Sequence, residues 1–211
     1  MNRLRLHDIS QRLRPDLPVW PGDYRFESVV TAQAGEGSSV TLHRLCMSSQ
    51  SGTHAECSRH VRDDAPALGE LDLGVFLGPC EVRDVSAAGT LVTGADVLER
   101  LPERVERVLL RTFSKADWDH WPTGFKAIDP SLMDALAARG CRLIGTDAPS
   151  IDPETSKELR SHQAAHRAGM GILEGLVLDT VPEGRYELIA LPLPIAGIEA
   201  TPVRAVLRAI D

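Results

Sequence analysis

The chain has 211 residues, 43% hydrophobic and 25% charged, a globular composition that excludes a disordered protein. At 22.9 kDa it is expected to fold as one domain over 1–211, exposing roughly 9,600 Å² and needing no disulfide staples. Thirty Asp and Glu against 23 Lys and Arg give a net charge of −7 without a basic run, which argues against nucleic acid and anionic membranes as partners.

The first residues, MNRLRLHDIS, lack the apolar core of a secretory signal, and Cys46, Cys57, Cys80 and Cys141 are dispersed with no CxxC, so reduced thiols in a cytoplasmic protein are expected. Val, Ile and Leu content with bounding Gly, Pro and Asp predicts strands over 4–9, 26–32 and 40–47. Segment 50–60 reads as a loop, and a strand follows over 80–85. A helix over 94–101 is capped by Thr93 with Asp96 in its first turn, and a strand covers 108–112. Asp129-Pro130 opens a helix over 131–139 that Gly140 stops, and a strand follows over 142–146. A third helix, about 156–168, ends at Gly169 before strands over 171–178, 186–191 and 202–209. The longest apolar stretch, 188–198, is interrupted by Pro192 and Pro194 and cannot span a bilayer. This order is not strict βαβ alternation. It predicts an α/β fold with a mixed β-sheet core, flanking helices and β-rich additions at both ends.

Histidine placement carries the chemical information. Four potential donors, His54, Glu56, Cys57 and His60, fall within seven residues of the segment QSGTHAECSRH. His162 lies on the third predicted helix and Glu174 near the start of an apolar strand. Imidazole nitrogen and carboxylate oxygen together suit a divalent metal such as zinc. By residue type alone the signal is weak, and a surface or hydrogen-bonding loop histidine, with Glu174 capping a turn, is the commoner arrangement. No GxSxG, P-loop or GxGxxG occurs.

Nearly the whole chain resembles the bacterial kynurenine formamidases, metal-dependent hydrolases of the cyclase-like family. The resemblance is carried by HDIS at 7–10, PVWPGD at 18–23, GEGSSV at 35–40, LGPCEV at 77–82 and VLLRT at 108–112. It continues through IGTDAPSIDPETSK at 144–157, ILEGLVLDTVPEGRYELIALPLPIAG at 172–197 and ATPVRAVLR at 200–208. The resemblance implies a cyclase-like (swivelling β/β/α) fold, a homodimer and a two-metal amidohydrolase whose loop reads His-x-Gly-(Thr/Ala)-His-x-Asp-x-Pro-x-His. Carried over, His54, His162 and Glu174 match metal ligands, His60 the acid/base, and Trp20 a residue lining the substrate pocket. This sequence departs from the pattern at Gln50 for the first His, Glu56 for the Asp and Ser58 for the Pro. A neutral amide is a poor replacement for imidazole toward zinc. One tight ion is therefore expected rather than two, held by Glu56, His162 and Glu174 with His54 as a fourth donor.

Other residues have competing readings. Cys57 suits a replacement ligand, a nucleophile or a packed thiol. His43 suits core or cross-strand pairing, His166 the helix surface, His120 a loop between Trp118 and Trp121, and Ser150 a turn in DAPS. The expected activity is hydrolysis of an aryl formamide, N-formyl-L-kynurenine to L-kynurenine and formate. Two alternatives stay open: a sister enzyme hydrolysing another amide or catalysing cyclisation or elimination with one metal or none, and a non-catalytic small-molecule binder.

Overall fold

Continuous apolar runs along the central strands give one sheet two buried faces. The computed structural model describes residues 5–35 and 37–210. Its strands are β1 (Leu6–Asp8), β2 (Glu27–Ala32), β3 (Leu42–Cys46), β4 (His54–Glu56), β5 (Leu77–Asp84), β6 (Leu91–Val92), β7 (Arg107–Arg111), β8 (Ala127–Ile128), β9 (Leu143–Thr146), β10 (Gly171–Glu174), β11 (Gly184–Ile189), β12 (Ala200–Pro202) and β13 (Val206–Ala209). The helices are α1 (Gly94–Val97), α2 (Pro130–Ala138) and α3 (Arg160–Ala168). Nine strands form the main sheet in the order β1-β13-β11-β5-β7-β9-β10-β4-β12. The run β5-β7-β9-β10 is parallel, and the remaining neighbours are antiparallel. This bears out the mixed α/β sheet.

Successive residues of a strand point to opposite faces. Val108, Leu110, Ile144 and Ile172 accordingly join Leu132, Leu136 and Ala165 of the helices, while Leu109, Leu143 and Leu173 join Ile9, Phe76, Leu188 and Leu207 on the other side. Because both faces of the parallel strands are covered, these strands read as continuous apolar runs.

Local chemistry explains the boundaries. Asp129 Oδ1 accepts from Ser131 N (2.8 Å) beside Pro130, starting α2 as expected. Thr93 N donates to Asp96 Oδ2 (2.7 Å) at the start of α1, but the predicted 94–101 helix is α-helical only to Val97 and tightens to a 3-10 turn over Leu98–Arg100. The third helix begins at Arg160 rather than 156, because Leu159 adopts a left-handed backbone (φ 48°). The strand expected over 171–178 stops at Glu174, before Gly175 (φ 63°). The 202–209 run divides into β12 and β13. Leu4 of the 4–9 strand lies outside the described residues.

Two features were not expected. His54–Glu56 is a strand rather than part of a loop, and β6 and β8 form a small parallel pair. The β2–β3 hairpin buries almost nothing, leaving Val29, Val30, Leu42 and Leu45 exposed. The chain exposes 11,368 Å², above the roughly 9,600 Å² expected for its mass. Among the described residues no helix is long and apolar enough to cross a membrane.

Candidate functional site

Strand β4 is what brings the site together. With a period of two, His54 and Glu56 share one face while Ala55 between them enters the core. Antiparallel pairing sets Glu174 directly opposite His54, so Glu174 ends β10 rather than starting a strand. Gln11 and Thr53 lock this register: Gln11 Nε2 and Thr53 Oγ1 both donate to Gly175 O, at 2.8 and 2.6 Å. The junction has no room for a side chain at Gly175, where a Cβ would lie 2.6 Å from Gly52 O.

Helix α3 contributes His162 from the third side. Asp152 receives the backbone N–H of Ser161 (3.0 Å) and His162 (2.9 Å) in the first turn of α3, a cap that Leu159 does not provide. It also lies 2.6 Å from His162 Nδ1. An ionised carboxylate only accepts, so it holds a proton on Nδ1 and leaves Nε2 as the ring atom that faces the site.

Four side chains converge there. His162 Nε2 is 2.8 Å from Glu56 Oε1 and 3.6 Å from Glu174 Oε1, and Glu174 Oε2 is 3.4 Å from His54 Nε2. All four residues are buried. Burial opposes ionisation of Glu56, yet His162, His60 and His54 hold its pKa down at about 2. Burial likewise opposes charging of the imidazoles, but Glu174 raises the pKa of His54, and Glu56 and Asp152 raise that of His162 well above the ordinary histidine range.

The cluster fits a cation. His54 Nε2 and Glu56 Oε1 are buried and make no well-directed hydrogen bond, although Glu174 Oε2 stands 3.4 Å from the first and His162 Nε2 2.8 Å from the second. Donors held 2.0–2.2 Å from a tetrahedral ion lie about 3.3–3.6 Å apart, close to the spacings of this quartet. Two overlapping triads of compatible donors occur, His54–Glu56–Glu174 and Glu56–His60–His162, each within 4.8 Å. The expected set of Glu56, His162 and Glu174 is neither triad: Glu56 is shared, His162 groups with His60, and Glu174 groups with His54, although His162 Nε2 lies 3.6 Å from Glu174 Oε1.

His60 lies at the rim, in a 3-10 turn over Ser58–His60 that directly follows β4. Its ring is 5.3 Å from that of His162, and Nδ1 is 3.8 Å from Glu56 Oε2. Gln50 Nε2 approaches Glu56 Oε2 (3.4 Å), Glu199 Oε1 (3.4 Å) and His60 Nδ1 (3.2 Å), so the amide packs within the donor cluster. Gln50, His54, His60, His162 and Glu174 floor a cavity of about 500 Å³ walled by Trp20, Trp118 and Trp121. Trp20 meets Trp121 edge to face at 5.5 Å.

The side candidates separate clearly. Cys57 is a packed thiol that donates to Pro66 O (3.4 Å), and burial pushes its pKa up; it joins neither triad. His43 is exposed on β3 opposite Val30, which excludes the core alternative, and His120 is an exposed loop residue against Asp117 (3.0 Å). Ser150 Oγ accepts from Asp152 N (3.2 Å) in a turn, and His166 is half-buried on α3. Sequence reasoning missed Asp152, Glu199 and Gln11. Asp152 stands inside the IDPETSK run ten residues before His162, a separation no helical or strand period connects, and Glu199 has no local signal.

The comparisons with known proteins agree with this geometry. A family model described as Cyclase matches residues 7–153. The chain is 46% identical over 204 residues to a protein of Maricaulis maris named kynurenine formamidase, covering 97% of this chain and 98% of that one. It is 45% identical over 206 residues to one of the same name from Sphingopyxis alaskensis, covering 98% and 99%. A solved structure described as a potential metal-dependent hydrolase with cyclase activity superposes with a TM-score of 0.86 at 24% identity, covering 99% of this chain and 100% of its own. With a family match over most of its length and relatives matched nearly end to end, the chain belongs to the cyclase family.

Proposed function

We propose that the protein, one domain over 1–211, is a metal-dependent amidohydrolase that converts N-formyl-L-kynurenine to L-kynurenine and formate. The observation that carries this reading is the buried cluster of His54, Glu56, His162 and Glu174, whose nitrogen and carboxylate donors converge beneath a tryptophan-walled cavity in a relative of proteins named kynurenine formamidase. Nitrogen and oxygen donors of this kind suit zinc. Glu56, His162 and Glu174 hold one ion, with His54 as fourth donor; Gln50 leaves the family's other site without its imidazole. Bound metal supplies Lewis acidity toward the formyl carbonyl and lowers the pKa of water.

The chain's own groups do the rest. Trp20 packs against the aryl ring. His60 moves protons between the attacking water and the leaving aniline nitrogen. Asp152 keeps the His162 proton on Nδ1, and the tryptophan walls exclude bulk water. The free cysteines suit the reducing cytoplasm, and the exposed apolar residues of the β2–β3 hairpin offer a surface for a homodimer.

Metal analysis of the purified protein beside absorbance-followed turnover of N-formylkynurenine tests the reading. One divalent ion per chain with turnover is expected. Bound metal without turnover of that substrate favours the sister enzyme with altered chemistry, to which the Gln50 and Glu56 departures also point. A ligand-dependent thermal shift with no turnover of any amide favours the binder.

A further inference from the structure

We infer that Glu199 is a positioning residue that acts through Gln50 to hold the proton of neutral His60 on Nε2. The inference rests on the proposed role of His60 and deepens it. Gln50 Nε2 stands 3.4 Å from Glu199 Oε1, 3.4 Å from Glu56 Oε2 and 3.2 Å from His60 Nδ1. An amide nitrogen only donates, an amide oxygen only accepts, and an ionised carboxylate only accepts. The opposite orientation of the Gln50 amide would set its oxygen against two carboxylates at once. The carboxylates therefore fix which end of the amide faces His60, and that end is the donor. The NH₂ has two protons for three acceptors, and His60 Nδ1, the nearest at 3.2 Å, cannot donate to a donor; it takes one of the two, so the single proton of the neutral ring sits on Nε2, on the side away from Gln50.

The two carboxylates do not contribute equally. Glu56 belongs to both donor triads, so its lone pairs are shared with any bound cation, whereas Glu199 belongs to neither. Glu199 is also held in place, with Ser49 Oγ donating to the same Oε1 at 2.6 Å. The competing arrangement, with Nδ1–H donating to Glu56 Oε2, spans 3.8 Å, too long for a hydrogen bond. Ser49, Glu199 and Gln50 thus form a fixed chain ending on one ring nitrogen. Its consequence for chemistry is direct: a general acid delivers a proton only from the nitrogen that carries it, and the chain reserves that role for Nε2.

The test reads the proton directly. Long-range ¹⁵N–¹H correlation spectra of the zinc-loaded, histidine-labelled protein, at a pH where His60 is neutral, should show His60 as the Nε2–H tautomer. Glu199→Gln removes the obligate acceptor and lets the Gln50 amide turn. It should give mixed tautomers and lower kcat on N-formylkynurenine about two- to tenfold, with KM and zinc content unchanged. Glu199→Asp keeps an obligate acceptor and should restore the wild-type spectrum. A wild-type His60 protonated or metal-bound at Nδ1 overturns the inference, as does a Glu199→Gln protein with unaltered tautomer and kcat. A wild-type Nδ1–H spectrum overturns the inference whether or not the variants fold. An inactive protein with the Nε2–H tautomer would remove the hydrolase reading and leave the positioning intact; an active one with Nδ1–H would do the reverse.

Discussion

Replacing Asp152 by Asn tests whether α3 presents His162 in the right protonation state. The substitution preserves shape while changing one acceptor atom into a donor. The Asp152 carboxylate receives Ser161 N, His162 N and His162 Nδ1 at 2.6–3.0 Å, and it is 2% exposed. In the variant a neutral amide oxygen takes the place of Oδ2 against His162 N and Nδ1, which weakens the bond that holds the Nδ1 proton, and the NH₂ is left facing Ser161 N, donor against donor. The ring's other nitrogen, Nε2, faces Glu56 Oε1 at 2.8 Å and would be the metal ligand, so the site is offered a less basic imidazole. Losing an outer partner of a ligating histidine typically costs 10–100-fold in metal affinity, about 1.4–2.7 kcal/mol. Exchanging charge-assisted for neutral hydrogen bonds at the first turn of α3 costs about 2 kcal/mol more in stability. In a chain of this size that lowers Tm by about 4–8 °C. Isothermal titration of zinc into the metal-free variant, beside thermal melts of the same sample, measures both. An unchanged zinc affinity would refute the reasoning, because the Asp152 carboxylate would then not strengthen His162 as a ligand.

Four further outcomes are expected. His60→Ala should reduce kcat about 10²–10⁴-fold while retaining bound metal; loss of the metal instead would make His60 a ligand. Gln50→His with Glu56→Asp should raise the metal content from one toward two ions per chain, read by elemental analysis, and native protein already carrying two tight ions would contradict the assignment. Gly175→Ala places a Cβ 2.6 Å from Gly52 O in a left-handed backbone, so it should lose about 2–3 kcal/mol by urea unfolding and weaken metal binding through the His54–Glu174 register. Asp84, although burial opposes its ionisation, is held at a pKa of about 2 by Arg111 and Ser86, below its unfolded value, so its stabilisation is present above about pH 4 and is lost as pH falls toward 2. Asp84→Asn should therefore flatten the acid limb of the stability profile by about 1 kcal/mol after solvent screening, and an unaltered slope between pH 5 and 2.5 would argue against the pairing.

Much of the fold was legible in the residues themselves, because its signals are local. The apolar runs of β7, β9 and β10 declare strands buried on both faces, and Asp129-Pro130 with Gly140 brackets α2 by chemistry that acts within one turn. The departures at Gln50, Glu56 and Ser58 were likewise visible beside the family pattern. Strand β4 was not: three residues with a central alanine carry little intrinsic strand preference, and His54–Glu56 is extended because β10 and β12 pair with it on either side. The same holds for the late start of α3, which Leu159 delays and Asp152 caps from eight residues upstream of Arg160. Sequence alone could nominate His54, Glu56, His162 and Glu174, since residue type determines what an atom can bind. Which atoms face one another was decided only by the tertiary structure. Register, helix placement and the contacts of Asp152 and Glu199 are made between residues too far apart in the chain for any local pattern to record.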